Sequence, residues 1–160
     1  MKRMLLKQHV ADLMPGMAKK AVCLSGVDVL SRAIQAMTAS GTSAVLIFED
    51  GDVEGIVTRG DILRCLGSAL PSGDVLGQRL ELVMSAPVVT AVPSDTIAEA
   101  LHKMVSAGVK HLPLMEEGQG GPTAFLFHLT GLLGYKADLL QAEAEQLHNY
   151  IDHLHEADKD

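Results

Sequence analysis

The sequence predicts an α/β (α+β) fold built from two copies of one β-α-β-β-α unit in pseudo-twofold arrangement, followed by a C-terminal helical extension. Three observations predict it. Residues 88–114 largely repeat residues 21–47 at a constant offset of 67 positions, so that Asp28 stands over Asp95, Ala33 over Ala100, Met37 over Met104 and Gly41 over Gly108. Within each copy, short apolar runs bounded by turn residues flank a stretch with helical spacing. After the second copy comes a polar stretch whose apolar positions recur at helical intervals. A duplicated unit buries its apolar face against its twin and leaves paired clefts where a ligand can sit, which points to binding rather than catalysis.

In chain order, residues 4–14 carry Met4, Leu5, Val10, Leu13 and Met14 and read as a short helix that covers one end of the core and leads to a turn at Pro15-Gly16. Residues 21–24 read as a strand. Asp28 can then cap a helix whose Leu30, Ala33, Ile34 and Met37 share one face, ended by Gly41. Residues 44–48 are continuously apolar, and Glu49-Asp50-Gly51-Asp52 connects them as a hairpin to residues 53–58, with which they pair antiparallel. A helix over about 60–66 completes the first copy (residues 1–67), and a Gly, Ser and Pro-rich stretch lies in the linker (68–80).

The second copy (81–140) repeats the order. Residues 88–92 read as a strand, and Thr96 with Glu99 has capping-box spacing ahead of a helix buried through Ile97, Ala100, Leu101, Met104 and Val105 and closed by Gly108. Residues 112–115 form the next strand. The stretch 116–122 then holds three Gly and a Pro, and is either an enlarged hairpin with residues 123–133 as its return strand or a mobile loop. The tail (141–160) continues a long helix over about 137–156. Leu140, Leu147 and Leu154 recur every seven residues, a seam for a second copy of the chain or for docking on the chain's own body.

Composition narrows the function. With 160 residues, 48% of them hydrophobic, the chain can bury one core of two halves. A net charge of -7 with one thin basic cluster, residues 2–20, argues against a nucleic-acid partner. No apolar run reaches the ~20 residues that span a bilayer, and no secretory pattern opens the chain, so a cytoplasmic location and no membrane partner are expected. Cys23 and Cys65 lack the paired spacing of a metal or redox site and read as buried reduced thiols. The polar face of the tail, with Glu145, His148, Asp152 and His155, reads as solvated rather than as a metal site. No nucleophile-base constellation or phosphate-binding loop motif is present, and an enzyme is not expected.

The most specific local signal is Gly55-Ile56-Val57-Thr58-Arg59-Gly60-Asp61-Ile62-Leu63. A strand running into a helix start exposes backbone N–H groups that favour an anion. Thr58 adds a hydroxyl, Arg59 a cation, and Asp61 either accepts two hydrogen bonds from a vicinal diol such as a ribose or caps its own helix.

The duplicated unit and this ending resemble a tandem pair of cystathionine-β-synthase (CBS) domains, a Bateman module, over roughly residues 10–140. Val83-Met84, Pro87-Val88-Val89-Thr90 and His111-Leu112-Pro113-Leu114 look like its second member. The resemblance implies a regulatory module that binds an adenosine derivative, AMP, ADP, ATP or S-adenosylmethionine, between the copies, and that requires no other cofactor. It implies that Thr58 and Asp61 contact ribose and phosphate, that Thr42, Ser43 and Ala44 line the adenine pocket of the first cleft, and that Thr90, Lys110, His111 and Pro113 serve the second. The second ending is matched to Leu133-Gly134-Tyr135-Lys136-Ala137-Asp138, with Tyr135 in the Thr position and Asp138 kept. Such modules commonly pair into a disc, so a homodimer and a regulated protein partner are expected. The competing reading is an interaction adaptor whose clefts bind nothing, with contacts made by residues 116–122 and the leucine-lined tail.

Overall fold

The structure, a computed structural model, describes residues 8–68, 73–118 and 121–157. It is a mixed α+β fold with two three-stranded sheets, one per repeat. Sheet one joins β2 (Cys23–Leu24), β3 (Ala44–Glu49) and β4 (Asp52–Thr58). Sheet two joins β1 (Lys19–Lys20), β6 (Gly121–His128) and β5 (His111–Gly118), in the order β1-β6-β5. Both hairpins are antiparallel, with Ala44 opposite Thr58 in one and His111 opposite His128 in the other. The enlarged-hairpin alternative for the second copy therefore holds. Its return strand ends at His128 rather than at Leu133, and residues 119 and 120 of the loop lie outside the described residues.

The halves are clasped by exchanged backbone. β1, which leads into the first repeat, adds to β6 of the second through Lys19 opposite Leu126. Ser85, which leads into the second repeat, bridges Ile56 of β4, giving and taking one N–H···O bond at 2.9 and 3.0 Å. Paired backbone groups satisfy obligatory donors and acceptors, so each half completes the other's sheet. Residues 88–92, expected as a strand, make only the single bridge Ala91 to Leu114. The cause is Pro113. In the first repeat Leu46 donates its N–H to the Val22 carbonyl at 2.9 Å, and Pro113, at the equivalent position 67 residues on, has no N–H to donate.

The helices follow the apolar periodicity. In α2 (Leu30–Ser40) Leu30, Ala33 and Met37 are buried, and in α5 (Ile97–Ala107) Ile97, Ala100 and Met104 are, whereas Val105, expected on that buried face, is exposed because it lies at the edge of the stripe. Each full burial of a Leu, Ile or Met side chain contributes roughly 1.5–3 kcal/mol. Both helices end on a left-handed glycine, Gly41 at φ 64° and Gly108 at φ 66°, whose N–H returns to the Met37 and Met104 carbonyls respectively. Thr96 and Glu99 form the expected capping box. Asp28 does not cap α2. Its carboxylate accepts the Ser25 N–H at 3.0 Å, closing the turn before the helix, and Asp95 does the same for Val92 at 2.9 Å.

At the N-terminal end Val10 and Leu13 sit in a short 3-10 turn and pack into the second repeat's core, as expected of a covering segment. Residues 4–7 of the helix expected there lie outside the described residues, and Pro15-Gly16 falls inside α1 (Met14–Met17) rather than in a turn. Proline is tolerated there because a helix's first N–H groups have no partner within it. α3 (Arg59–Ser68) and α4 (Leu80–Val83) complete the first half. Helix α6 (Leu129–Ala157) begins eight residues before the expected helix start at about residue 137, docks through Leu132, Tyr135 and Leu139, and leaves Leu140 and Leu147 exposed. The Leu154 side chain lies outside the described ones. No helix among the described residues is long and apolar enough to cross a membrane.

Candidate functional site between the repeats

The end of β4 turns directly into α3, which places Thr58, Arg59 and Asp61 in one turn of chain. Asp61 is buried, and its carboxylate is fully engaged. One oxygen accepts the Thr58 N–H and hydroxyl, both at 2.7 Å, and the other accepts the Ser85 hydroxyl at 2.7 Å and the Arg64 guanidinium. Burial pushes this carboxyl's pKa up, but the hydrogen bonds from Thr58, Ser85 and Arg64 outweigh it and hold it below the usual carboxylate value. Its four acceptor positions are filled, so in this arrangement Asp61 ties the start of α3 to the exchanged Ser85 segment instead of facing the cleft.

Arg59 points the other way, and its guanidinium makes no hydrogen bond or ion pair among the described residues. It borders two adjoining cavities that share Gly41, Thr42 and Arg59. One, of about 390 Å³, is walled by Ile34, Met37 and Ile62. The other, of about 250 Å³, opens between the repeats and is lined by Lys19, Ser43, His111 and His128. Their combined form, an aliphatic chamber beside a polar one, is typical of small-molecule sites.

The repeats touch across this cleft. The His111 Nε2 lies 2.6 Å from the Ser43 hydroxyl, and the His111 and His128 rings meet edge to face at 5.0 Å. Burial, reinforced by the neighbouring His128 ring and by the positive charge of Arg59 and Lys110, lowers the His111 pKa to about 4, so the ring is neutral at pH 7. His128 Nδ1 accepts the Thr130 N–H at 3.3 Å and meets the Thr130 hydroxyl at 2.7 Å, which places the proton of the neutral ring on Nε2.

Thus Thr42, Ser43 and Arg59 line one cleft, and Ala44 is buried. His111 joins this first cleft rather than a second one. Pro113 is buried within β5, the Thr90 carbonyl accepts Lys103 Nζ at 3.3 Å, and Lys110 is exposed beside the start of α6. Tyr135 and Asp138 do not form the second ending. Because Ala44 pairs with Thr58 as His111 pairs with His128, residues 58–61 correspond to residues 128–131, an offset of 70 that adds three residues to the repeat. Gly131 therefore stands where Asp61 stands. Tyr135 lies inside α6 and donates to Gln8 Oε1 at 2.7 Å, and Asp138 is exposed on the same helix. Lys19 and His128 also line this cleft, and spacing alone misses them. The apolar register of Phe127, Leu132 and Leu133 against Val57, Ile62 and Leu63 carries the signal for His128, and nothing local marks Lys19.

The family model described as "CBS domain" matches residues 10–68 and 79–122. The meiotically up-regulated gene 70 protein of Schizosaccharomyces pombe is 32% identical over 103 residues, covering 62% of this chain, while the chain spans only 14% of that relative. Similar solved structures include a CBS-domain containing protein from Agrobacterium tumefaciens (20% identity, TM-score 0.67, 80% of this chain and 98% of that one). An uncharacterized conserved protein from Pyrococcus horikoshii aligns at 25% identity and TM-score 0.66, over 82% of this chain and 93% of that one. A proposed signal-transduction protein with CBS domains from Burkholderia ambifaria aligns at 24% and 0.64, over 79% and 91%.

Proposed function

The chain belongs to the CBS-domain family, and from that premise we propose that it is a regulatory module that binds an adenine nucleotide or related adenosine compound in the first cleft. The observation that carries this reading is the pair of cavities meeting at Thr42 and Arg59, one aliphatic and one polar, at the contact between the repeats. With aromatic content of only 3%, a base here lies between Ile34, Met37 and Ile62 rather than on a stacking ring. A ribose reaching Asp61 must displace the Ser85 hydroxyl or the Arg64 guanidinium, and loss of the Ser85 bond loosens the exchanged segment. Binding coupled to that release favours one arrangement of the repeats over another, which is what a ligand sensor requires.

Calorimetric titration with AMP, ADP, ATP and S-adenosylmethionine tests the reading, with Thr42→Leu to obstruct the shared waist and Asp138→Ala as a surface comparison. Binding abolished by Thr42→Leu and unchanged by Asp138→Ala is expected. Absence of heat and of thermal stabilisation with all four ligands overturns it.

A second reading, association with another copy or a regulated partner protein, is favoured by the exposed Leu63, Leu133, Leu140 and Leu147 on α3 and α6. Sedimentation equilibrium of the native chain and of a Leu140→Glu/Leu147→Glu variant distinguishes a tail-dependent dimer from a monomer.

A further inference from the structure

We propose that the first cleft selects a ligand bearing a phosphate chain over a sulfonium ligand, and that Lys19, Arg59 and His128 hold that chain. The proposal rests on the reading of this cleft as an adenosine site and adds the charge class of the ligand. The protein carries a net charge of -7, yet no residue lining either cavity is acidic. The polar chamber gathers Lys19, Arg59, His111 and His128 from four separate segments. The carboxylate nearest in sequence, Asp61, is turned away and neutralised by Arg64 and two hydroxyl donors.

The donors are also unspent. Arg59 has no ion-pair or hydrogen-bond partner among the described residues, and Lys19 Nζ reaches only the Gly41 carbonyl, at 3.3 Å. His128 keeps its Nε2 proton for another acceptor because Nδ1 is held by Thr130. Guanidinium, ammonium and imidazole N–H groups converging on one chamber match the several anionic oxygens of a phosphate chain, whereas S-adenosylmethionine offers a single carboxylate against a sulfonium and an ammonium and brings net positive charge to a chamber that is already positive. The low pKa of His111 comes first from burial, and the positive charge of Arg59 and Lys110 beside it adds to the shift. The aliphatic chamber behind Thr42 takes the base, and the chain of phosphates runs toward Lys19.

The test is calorimetry on the full chain in magnesium-free buffer with ATP, AMP, adenosine, inorganic triphosphate and S-adenosylmethionine, repeated with Arg59→Ala, Lys19→Ala and Arg59→Lys. Both side chains are exposed, so the variants keep the native melting temperature. The expected result is ATP tighter than adenosine by about 10–100-fold, AMP between them and S-adenosylmethionine weaker than adenosine. Arg59→Ala and Lys19→Ala each remove about tenfold of the ATP preference without moving adenosine, and Arg59→Lys retains part of it. Equal binding of ATP and adenosine, or S-adenosylmethionine as tight as ATP, overturns this inference while leaving the adenosine site intact. Triphosphate binding without adenosine binding supports the phosphate assignment and rejects the adenosine reading. No binding of any ligand overturns both.

Discussion

At the end of β4 the Thr58 N–H, at the turn into α3, is met by a carboxylate from inside the helix, Asp61, which also takes the Thr58 hydroxyl. At the end of β6 the equivalent turn into α6 is met by an imidazole from the strand, His128, which accepts the Thr130 N–H. The backbone course is shared and the chemistry is opposite. One repeat buries a negative charge and secures it to the exchanged Ser85, and the other leaves a glycine, Gly131, in that place and turns a ring toward the cleft. The comparison shows that a helix start can be satisfied in either way, so duplication preserves the turn while the side chains diverge into a structural junction and a cleft-facing one.

The largest effect is expected from removing the buried carboxylate. Asp61→Ala leaves Thr58, Ser85 and Arg64 without their acceptor and should lower unfolding stability by about 2–4 kcal/mol, whereas His128→Ala removes one exposed cap and should cost about 0.5–1 kcal/mol. Urea titrations of the two variants check this, and equal losses would show the junctions to be energetically alike.

The next effect is a pH dependence carried by the cleft. An unfolded chain protonates His111 near 6.5, while the folded protein keeps it neutral down to about 4. Between these values the unfolded state binds more protons, so this contribution is complete above about pH 6.5 and is lost as pH falls toward 4. It amounts to roughly 1–2 kcal/mol after allowance for solvent screening. Comparing unfolding at pH 7 and pH 4.5 for the native chain and His111→Asn isolates it from the carboxylates, and an unchanged pH response in the variant would refute it.

The smallest effect sharpens the equivalence of the junctions. A Cβ at Gly131 meets only Met17 Cε, at 3.7 Å, so Gly131→Asp fits the first turn of α6. Better helix propensity and a favourable dipole contact should raise stability by about 0.5 kcal/mol, read as a small rise in Tm. A loss of more than about 1 kcal/mol would argue against the proposed match of residues 128–131 to 58–61.

What sequence reasoning could reach depended on range. The buried faces of α2 and α5, their glycine ends and the Thr96 capping box were legible because each depends on residues within one or two turns. Matching the second ending by its acidic residue led to Asp138, seven positions beyond Gly131, which holds the place of Asp61. Matching it by the apolar residues that must enter the core leads to His128, because burial constrains the register of a strand more than residue identity does. Residues 88–92 have strand composition, but a strand needs a partner with free N–H groups, and Pro113 withholds one.

By itself, the sequence determined the duplication, the helices α2 and α5 with their glycine ends, the two hairpins and the family, since these follow from local conformational preference and the spacing of apolar residues. Only the tertiary structure decided that β1 and Ser85 are exchanged between the sheets and that Asp61 turns inward to Ser85. It alone makes room beside Gly55 for Met84, where the second repeat has Phe125. It also decided that Lys19, Arg59, His111 and His128 meet in one cleft. Those four cations and rings are brought together by contacts between segments distant in the chain, and the direction of a charged side chain there is set by which donors and acceptors the fold carries within hydrogen-bonding distance of it.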